Sequence, residues 1–293
     1  MEHTALQSDT VLPSDVGKPI VVASHPRSGT HLTLDLLRKQ FQECKSSLRL
    51  LEPLSHLYLN LDGLTQQDQR YDVEDAVDLL SRAARPTVKT HTLPTLDRFE
   101  GEKKEFAQRV LEEGQLLYPL RDCRAVICSM YLWERERHPE YDASLSEYLR
   151  NPPNRISQPA ERPDHDLNYL QKWARHVRAW RSVSGVLVLR FEDIVKDTRS
   201  VLQSIGKRVE LDPLCKTPLL PEKRRSTSRW DSYWRRITRN YESTAVVGRR
   251  SGDPSSVDWR EILSRGDREF IHKEIGGLLK ELGYVADDSW VDA

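Results

Sequence analysis

Short, continuous apolar runs recur along the chain, each followed by a polar turn and then by apolar residues at helical spacing. The first is Ile20-Val21-Val22-Ala23, then Ser24-His25-Pro26-Arg27-Ser28-Gly29-Thr30, then Leu32, Leu34, Leu36, Leu37 and Phe41. A run that is apolar at every position, and not at alternate ones, predicts a strand covered on both faces. Thr87-Val88-Lys89-Thr90, Gln115-Leu116-Leu117-Tyr118 and Val186-Leu187-Val188-Leu189 predict three more strands, the last two leading into helices from about Cys123 and about Ile194. Between them, Val73, Ala76, Val77, Leu80 and Ala84 recur at helical spacing, as do Leu170, Trp173, Ala174, Val177 and Trp180. A last helix carries Phe270, Ile271, Ile275, Leu278, Leu279 and Leu282 and stops at Gly283. Strands alternating with helices predict the α/β class, a single domain with a doubly wound, mostly parallel sheet flanked by helices. Such sheets bind ligands at the carboxyl ends of their strands, so weight falls on Arg27 to Thr30, His91, Arg121 and Phe191 to Asp193.

Three segments stand outside this pattern. Residues 1–18 are polar, with Pro13 and Gly17, and predict a flexible N-terminal arm ahead of one domain over 19–293. Residues 151–164 hold Pro152, Pro153, Pro159 and Pro163, too many for regular structure, and predict a surface loop able to cover a site. Residues 223–240 interleave Lys223, Arg224, Arg225, Arg229, Arg235, Arg236 and Arg239 with Trp230, Tyr233 and Trp234 against the single acid Asp231. That mixture suits either an anionic partner or a solvated basic face with its rings packed inward.

Composition narrows the function classes. The 293 residues carry 45 Lys plus Arg against 45 Asp plus Glu. This balance argues against bulk nucleic acid or an anionic membrane as the main partner, so any basic chemistry is local. Cys44, Cys123, Cys128 and Cys215 form no CxxC pair and have no histidine at zinc-finger spacing, so neither a disulfide framework nor a metal is expected. No basic start with an apolar run opens the chain and no apolar stretch reaches the ~18 residues of a membrane span. The expectation is a soluble, cytoplasmic protein, with a homodimer left open.

Three strand ends carry candidate chemistry. In Pro26-Arg27-Ser28-Gly29-Thr30, Gly29 lets the backbone approach a ligand and the first helical amides point outward. Ser28 and Thr30 add hydroxyls, and Arg27 adds a permanent charge. The turn is a P-loop-like anion cradle but lacks the earlier Gly and the Lys of GxxxxGK[ST], which disfavours a nucleoside triphosphatase. Lys89-Thr90-His91 places a cation and an imidazole two residues apart, where period-two geometry sends both to one side if the segment stays extended. Arg121, at the third strand tip, and Ser129, about two helical turns on, would bracket one phosphate if the chain bends between them.

Taken in order, these segments resemble the cytosolic-type sulfotransferases that use 3′-phosphoadenosine 5′-phosphosulfate (PAPS). Pro26-Arg27-Ser28-Gly29-Thr30 is similar to that family's 5′-phosphosulfate loop. Lys89-Thr90-His91 with Pro94 resembles its catalytic segment, Arg121 with Ser129 its 3′-phosphate site, and Phe191-Glu192-Asp193 its late strand-end segment. Gly248-Arg249-Arg250-Ser251-Gly252, ahead of Asp258-Trp259, is similar to the basic loop that closes over the 3′-phosphate. The resemblance implies transfer of a sulfuryl group from PAPS to a hydroxyl or amine, leaving 3′,5′-adenosine diphosphate (PAP), with no metal. It implies His91 as general base and Arg27 and Lys89 as charge stabilisers. By the same likeness Arg27, Ser28, Gly29, Thr30, His31, Leu32, Arg121, Ser129, Phe191, Arg249, Arg250 and Gly252 would hold the nucleotide. The chain departs from the family in carrying Arg27 where many members have Lys, Leu32 where a tryptophan commonly stacks on adenine, and Phe191 where a tyrosine is usual.

The segments placed to line an acceptor pocket, 50–64, 93–99, 133–142 and 226–241, mix aromatic, acidic and basic groups. They point to a polar small molecule or a saccharide. Two rivals remain at this level. An ATP-dependent phosphotransferase would need magnesium, with Asp122 or Asp193 as ligand. A non-catalytic module binding PAP or a polyanion would leave His91 without a role.

Overall fold

The structure, a computed structural model, describes residues 16–49, 52–138, 143–151, 166–221, 224–225, 244, 246–247 and 258–292. Most of the predicted arm, the proline-rich loop from Pro152, most of the basic 223–240 stretch, and Arg249, Arg250 and Gly252 lie outside the described residues.

Five parallel strands form the main sheet: β1 (Ile20–Ala23), β2 (Leu59–Asn60), β3 (Thr87–Thr90), β4 (Gln115–Leu120) and β5 (Leu187–Arg190), in the order β2-β3-β1-β4-β5. Alternation along β1 explains the continuous apolar run. Ile20 and Val22 face one core layer with Leu117 and Leu189, whereas Val21 and Ala23 face the other with Val88, Leu116 and Tyr118. The first layer is closed by α1 (Thr30–Gln40), through Leu34, Leu36 and Leu37, and by α8 (Thr198–Val209), which follows the short α7 (Phe191–Lys196). The second is closed by α2 (Val73–Leu80), α3 (Gly101–Glu113), α4 (Cys123–Arg137), α5 (Leu145–Arg150), α6 (Tyr169–Arg181), α9 (Trp259–Ile262) and α10 (Arg265–Glu281). Helices on both faces of a parallel sheet make the chain a single doubly wound α/β domain. A separate two-stranded pairing joins β6 (Arg224–Arg225) to β7 (Val246–Val247).

Local sequence sets the ends of these elements. Side chains of Asp72, Ser144, Asn168 and Ser264 cap their helices through reciprocal bonds with the residue three positions on. Three helices escaped the pattern reading, among them the four-residue α9. In α3 only Phe106, Ala107 and Val110 are buried on an otherwise charged segment, and α5 is six residues long. The helix expected to reach Ala84 ends at Leu80, and the one expected from Ile194 starts at Phe191. Strand β4 runs two residues past the expected Tyr118, through Pro119. Its pairing with β1 stops at Leu117, so the missing proline N–H removes no rung from that ladder. The Val16 side chain packs against the core, and the Lys18 carbonyl accepts from Arg85 Nε at 2.8 Å. Among the described residues no helix is long and apolar enough to cross a membrane.

Register decides where the turns meet. β1 and β3 end level, with Ala23 opposite Thr90, which places the turn after β1 beside His91. β4 continues three residues beyond its last partner on β1, which carries Arg121 over that turn. Leu117, fully buried on β4, tests the core that fixes this register. Leu117→Ala is expected to cost about 2–5 kcal/mol, read from urea unfolding. A loss below about 1 kcal/mol would show that the sheet is not packed as described.

Candidate active site

The turn between β1 and α1 is held in an uncommon backbone conformation. Arg27 has φ of 67° and Gly29 a φ of 102°, both in the left-handed region. Gly29 is also required by space, because a Cβ there would lie 2.7 Å from Cδ2 of Phe191. Strain at a non-glycine residue costs about 1–3 kcal/mol and persists where surrounding contacts over-determine it. Two contacts do so here: Arg27 Nε donates to Ser129 Oγ at 3.1 Å, and Arg121 Nη1 donates to the Arg27 carbonyl at 3.2 Å. Two guanidinium groups from different strand ends are thereby fixed near one another. Burial and the charges of Arg121 and Arg137 press the Arg27 guanidinium down from its ordinary value. Ser28 is 1% exposed, and its hydroxyl has no hydrogen-bond partner among the described residues. Buried hydroxyls are normally paired, so this one marks a place where a further acceptor belongs. Thr30 is tied instead to Ser24 through their hydroxyls.

The second strand end supplies a cation and an imidazole. Lys89 is half-buried and its ammonium has no hydrogen bond or ion pair among the described residues; burial lowers its affinity for a proton, and the Asp62 carboxylate raises it. The His91 ring is oriented by a 2.6 Å contact between Nδ1 and the Ser24 carbonyl. A carbonyl only accepts, so Nδ1 carries the proton and Nε2 presents a bare lone pair. Burial and the nearby Lys89 charge push the imidazole well below its usual value, so it is neutral near pH 7. The His91 backbone N–H donates to both carboxylate oxygens of Asp62 at 3.0 and 3.1 Å. Trp180 Nε1 donates to the Thr92 carbonyl at 3.0 Å and closes the turn from behind.

At the third strand end Arg121 stacks on Phe191, with Cζ 4.5 Å from the ring centroid. The Phe191 ring thus lies between Gly29 and Arg121 and joins the first turn to the third. Asp122 caps α4 through the Arg124 N–H and pairs with the Arg124 guanidinium at 2.7 Å. Arg124 in turn lies over Trp259 and Trp290, tying the C-terminal elements to this corner. The Asp122 carboxylate is committed to these bonds, unlike that of a metal ligand in waiting. Among the described residues no cluster of three or more His, Cys, Asp or Glu is placed to hold a metal ion.

The sequence-predicted residues divide clearly. Arg27, Ser28, Gly29, Thr30, Arg121, Ser129 and Phe191 are brought together, with Lys89 and His91 alongside. His31 Nδ1 meets Thr244 Oγ1 at 3.1 Å, and Thr244 donates to Asp35 at 2.8 Å. Burial, first, and the charges of Lys89 and Arg27 lower His31 to about 4. Leu32 is half-buried and packs against the α1 core layer. Sequence reasoning missed Asp62, a lone acid in an apolar run with no spacing to mark it. It also missed a buried layer behind His91, where Tyr118 Oη meets His176 Nδ1 at 2.8 Å and the His25 ring sits edge-on to His176 at 5.7 Å. The available signal was His176 itself, a polar residue on the apolar face of α6 between Trp173 and Trp180.

The fold is similar to retinol dehydratase in complex with androsterone and the inactive cofactor PAP. The two share 18% identity over 89% of this chain and 80% of that one, with a TM-score of 0.50. It is also similar to mouse sulfotransferase SULT7A1 complexed with PAP, at 15% identity over 90% of this chain and 85% of that one, TM-score 0.49. The sequence has no match among curated proteins. A sulfotransferase domain family model matches residues 18–283, from just before β1 to just past α10. With the match running across all three strand ends, the chain belongs to the PAPS-dependent sulfotransferase family.

Proposed function

We propose that the chain transfers a sulfuryl group from PAPS to a hydroxyl or amine of a polar small molecule or saccharide, with His91 as general base. The observation that carries this reading is the joint of Arg27 to Ser129 and Arg121, beside an imidazole whose Nε2 is bare. When bound, PAPS supplies the sulfuryl group: an acceptor oxygen or nitrogen bonds to sulfur, the bond from sulfur to the 5′-phosphate oxygen breaks, and PAP leaves with the electron pair. The residues present fit such a ligand. Among the described residues the buried Ser28 hydroxyl has no partner, and the Arg27 guanidinium is pressed by the charge of Arg121 beside it, which a phosphate would relieve.

Each side chain then has a role. Arg27, Ser28, Gly29, Thr30, Arg121 and Ser129 hold phosphate oxygens through charge, hydroxyl and helix-terminal amides. His91 Nε2 takes the acceptor proton while Nδ1–H stays on the Ser24 carbonyl. Arg27 and the Lys89 ammonium stabilise charge that grows on the bridging and sulfuryl oxygens. His31, Leu32, Phe191, Arg249, Arg250 and Gly252 complete the nucleotide site in this proposal. A polar acceptor is supported by α4, where the Arg137 guanidinium lies 4.2 Å from the Trp133 ring centroid one turn beyond Ser129. The androsterone-bound relative holds a more apolar ligand.

His91→Ala is expected to lower turnover about 10²–10⁴-fold while PAP affinity stays within about twofold; comparable turnover in both proteins removes the general-base role. Ser28→Ala should leave the melting temperature unchanged and weaken PAP binding by about tenfold, since a bond to a charged group is worth ~1.5–3 kcal/mol. Parent-like affinity in calorimetry would assign that hydroxyl elsewhere. Because His91 is held below the usual 6.5, it stays neutral as pH falls through that value and gains its proton only lower down. The rate profile should therefore be flat from about pH 8 to about pH 6 and fall in more acid solution. A midpoint at or above the unperturbed value contradicts this.

A further inference from the structure

The catalytic turn after β3 is anchored by a residue from another element. Asp62 sits on the single 3-10 turn Leu61–Leu64 that follows edge strand β2, which is paired to β3 through Asn60 opposite Lys89. Its carboxylate accepts from the His91 backbone N–H with both oxygens and from Thr90 Oγ1 at 2.8 Å. Thr90 Oγ1 in turn accepts from the Thr92 N–H at 3.1 Å. All three residues from Thr90 to Thr92 are thus gathered on one carboxylate, directly or through one hydroxyl. The half-buried Lys89 ammonium has no direct partner among the described residues, and Asp62 is the first of the charges that favour it.

Resting on the sulfotransferase reading, we infer that Asp62 is a positioning residue for the transfer. Its carboxylate geometry fixes the turn that aims His91, and its negative charge balances the Lys89 ammonium. The two functions are separable, because one depends on where the oxygens lie and the other on the charge. Around Lys89, Asp62 and Asp68 favour the ammonium and Arg70 opposes it, while His31 and His91 feel its charge from the neighbouring turns. Removing the Asp62 charge therefore shifts Lys89 toward its free amine.

Two variants of the full chain separate the functions without requiring the acceptor to be known. Asp62→Asn keeps an oxygen for the His91 N–H and loses the charge. Competitive labelling with isotopic acetic anhydride at about pH 8, read by mass spectrometry, is expected to modify Lys89 at least about threefold faster than in the parent. Exchange protection of the His91 amide should stay within about threefold. Asp62→Glu keeps the charge and displaces the oxygens, so labelling should stay within about twofold while the His91 amide loses at least about tenfold of its protection. Either variant alone tests one half should the other fail to fold. Parent-like labelling in Asp62→Asn, or parent-like protection in Asp62→Glu, overturns the corresponding half. Titration of the parent with PAP is the separate arm: absence of binding removes the sulfotransferase reading and leaves the labelling and exchange results to judge Asp62.

Discussion

Confinement of like charges at one rim of the sheet is the constraint on which the rest of the site depends. Arg27, Arg121 and Lys89 come from three different strand ends, and the first two are fixed against one another. Neutral groups take part in the holding: the Ser129 hydroxyl for Arg27, the Arg27 carbonyl for Arg121, and the Phe191 ring beneath Arg121. A few residues away, Arg124 is matched to the Asp122 carboxylate. Cations crowded together in a buried place favour an anion, since the low local dielectric magnifies each interaction. The strained backbone at Arg27 is part of the same arrangement, because the carbonyl that receives Arg121 belongs to the residue whose side chain reaches Ser129.

Strand register turns this chemistry into geometry. Ala23 opposite Thr90 sets the Ser24 carbonyl within reach of the His91 ring, and the overrun of β4 past β1 sets Arg121 above Arg27. A slip of one residue in either pairing would send the alternating apolar residues of β1 to the wrong core layer, so the two hydrophobic clusters defend the spacing of these turns. Stability and function meet in Leu117 and Val22, which pair across β1 and β4 and pack into the same layer.

Much of this was legible in the residues. Four of the five strands were legible, β1, β4 and β5 as runs rich in Val and Leu and β3 as the short Thr-Val-Lys-Thr, although Val188 on edge strand β5 is 37% exposed and not covered as a doubly buried strand would be. The fifth, β2, is two residues long and carries no pattern. Arg27, His91 and Arg121 were legible because they follow those runs directly. Asp62, Tyr118, His25 and His176 were not, since their roles arise from contacts between segments distant in sequence. Such contacts leave no local period. Helix α3 was hidden for a different reason: with three buried side chains its amphipathic stripe is too thin to stand out from thirteen residues rich in Glu and Lys.

The identity of the cation at position 27 follows from the same physics. Burial and Arg121 both weigh against charge there, and a lysine under that pressure would approach its neutral form. An arginine, with an intrinsic affinity for protons some orders of magnitude greater, remains charged while its planar fork engages Ser129 through one edge. The half-buried Lys89, by contrast, has the Asp62 carboxylate close by, as a lysine kept charged in that setting requires. The rim therefore meets one electrostatic problem in two ways: at Arg27 it uses a cation that cannot easily lose its proton, and beside Lys89, which can lose it, an acid stands nearby.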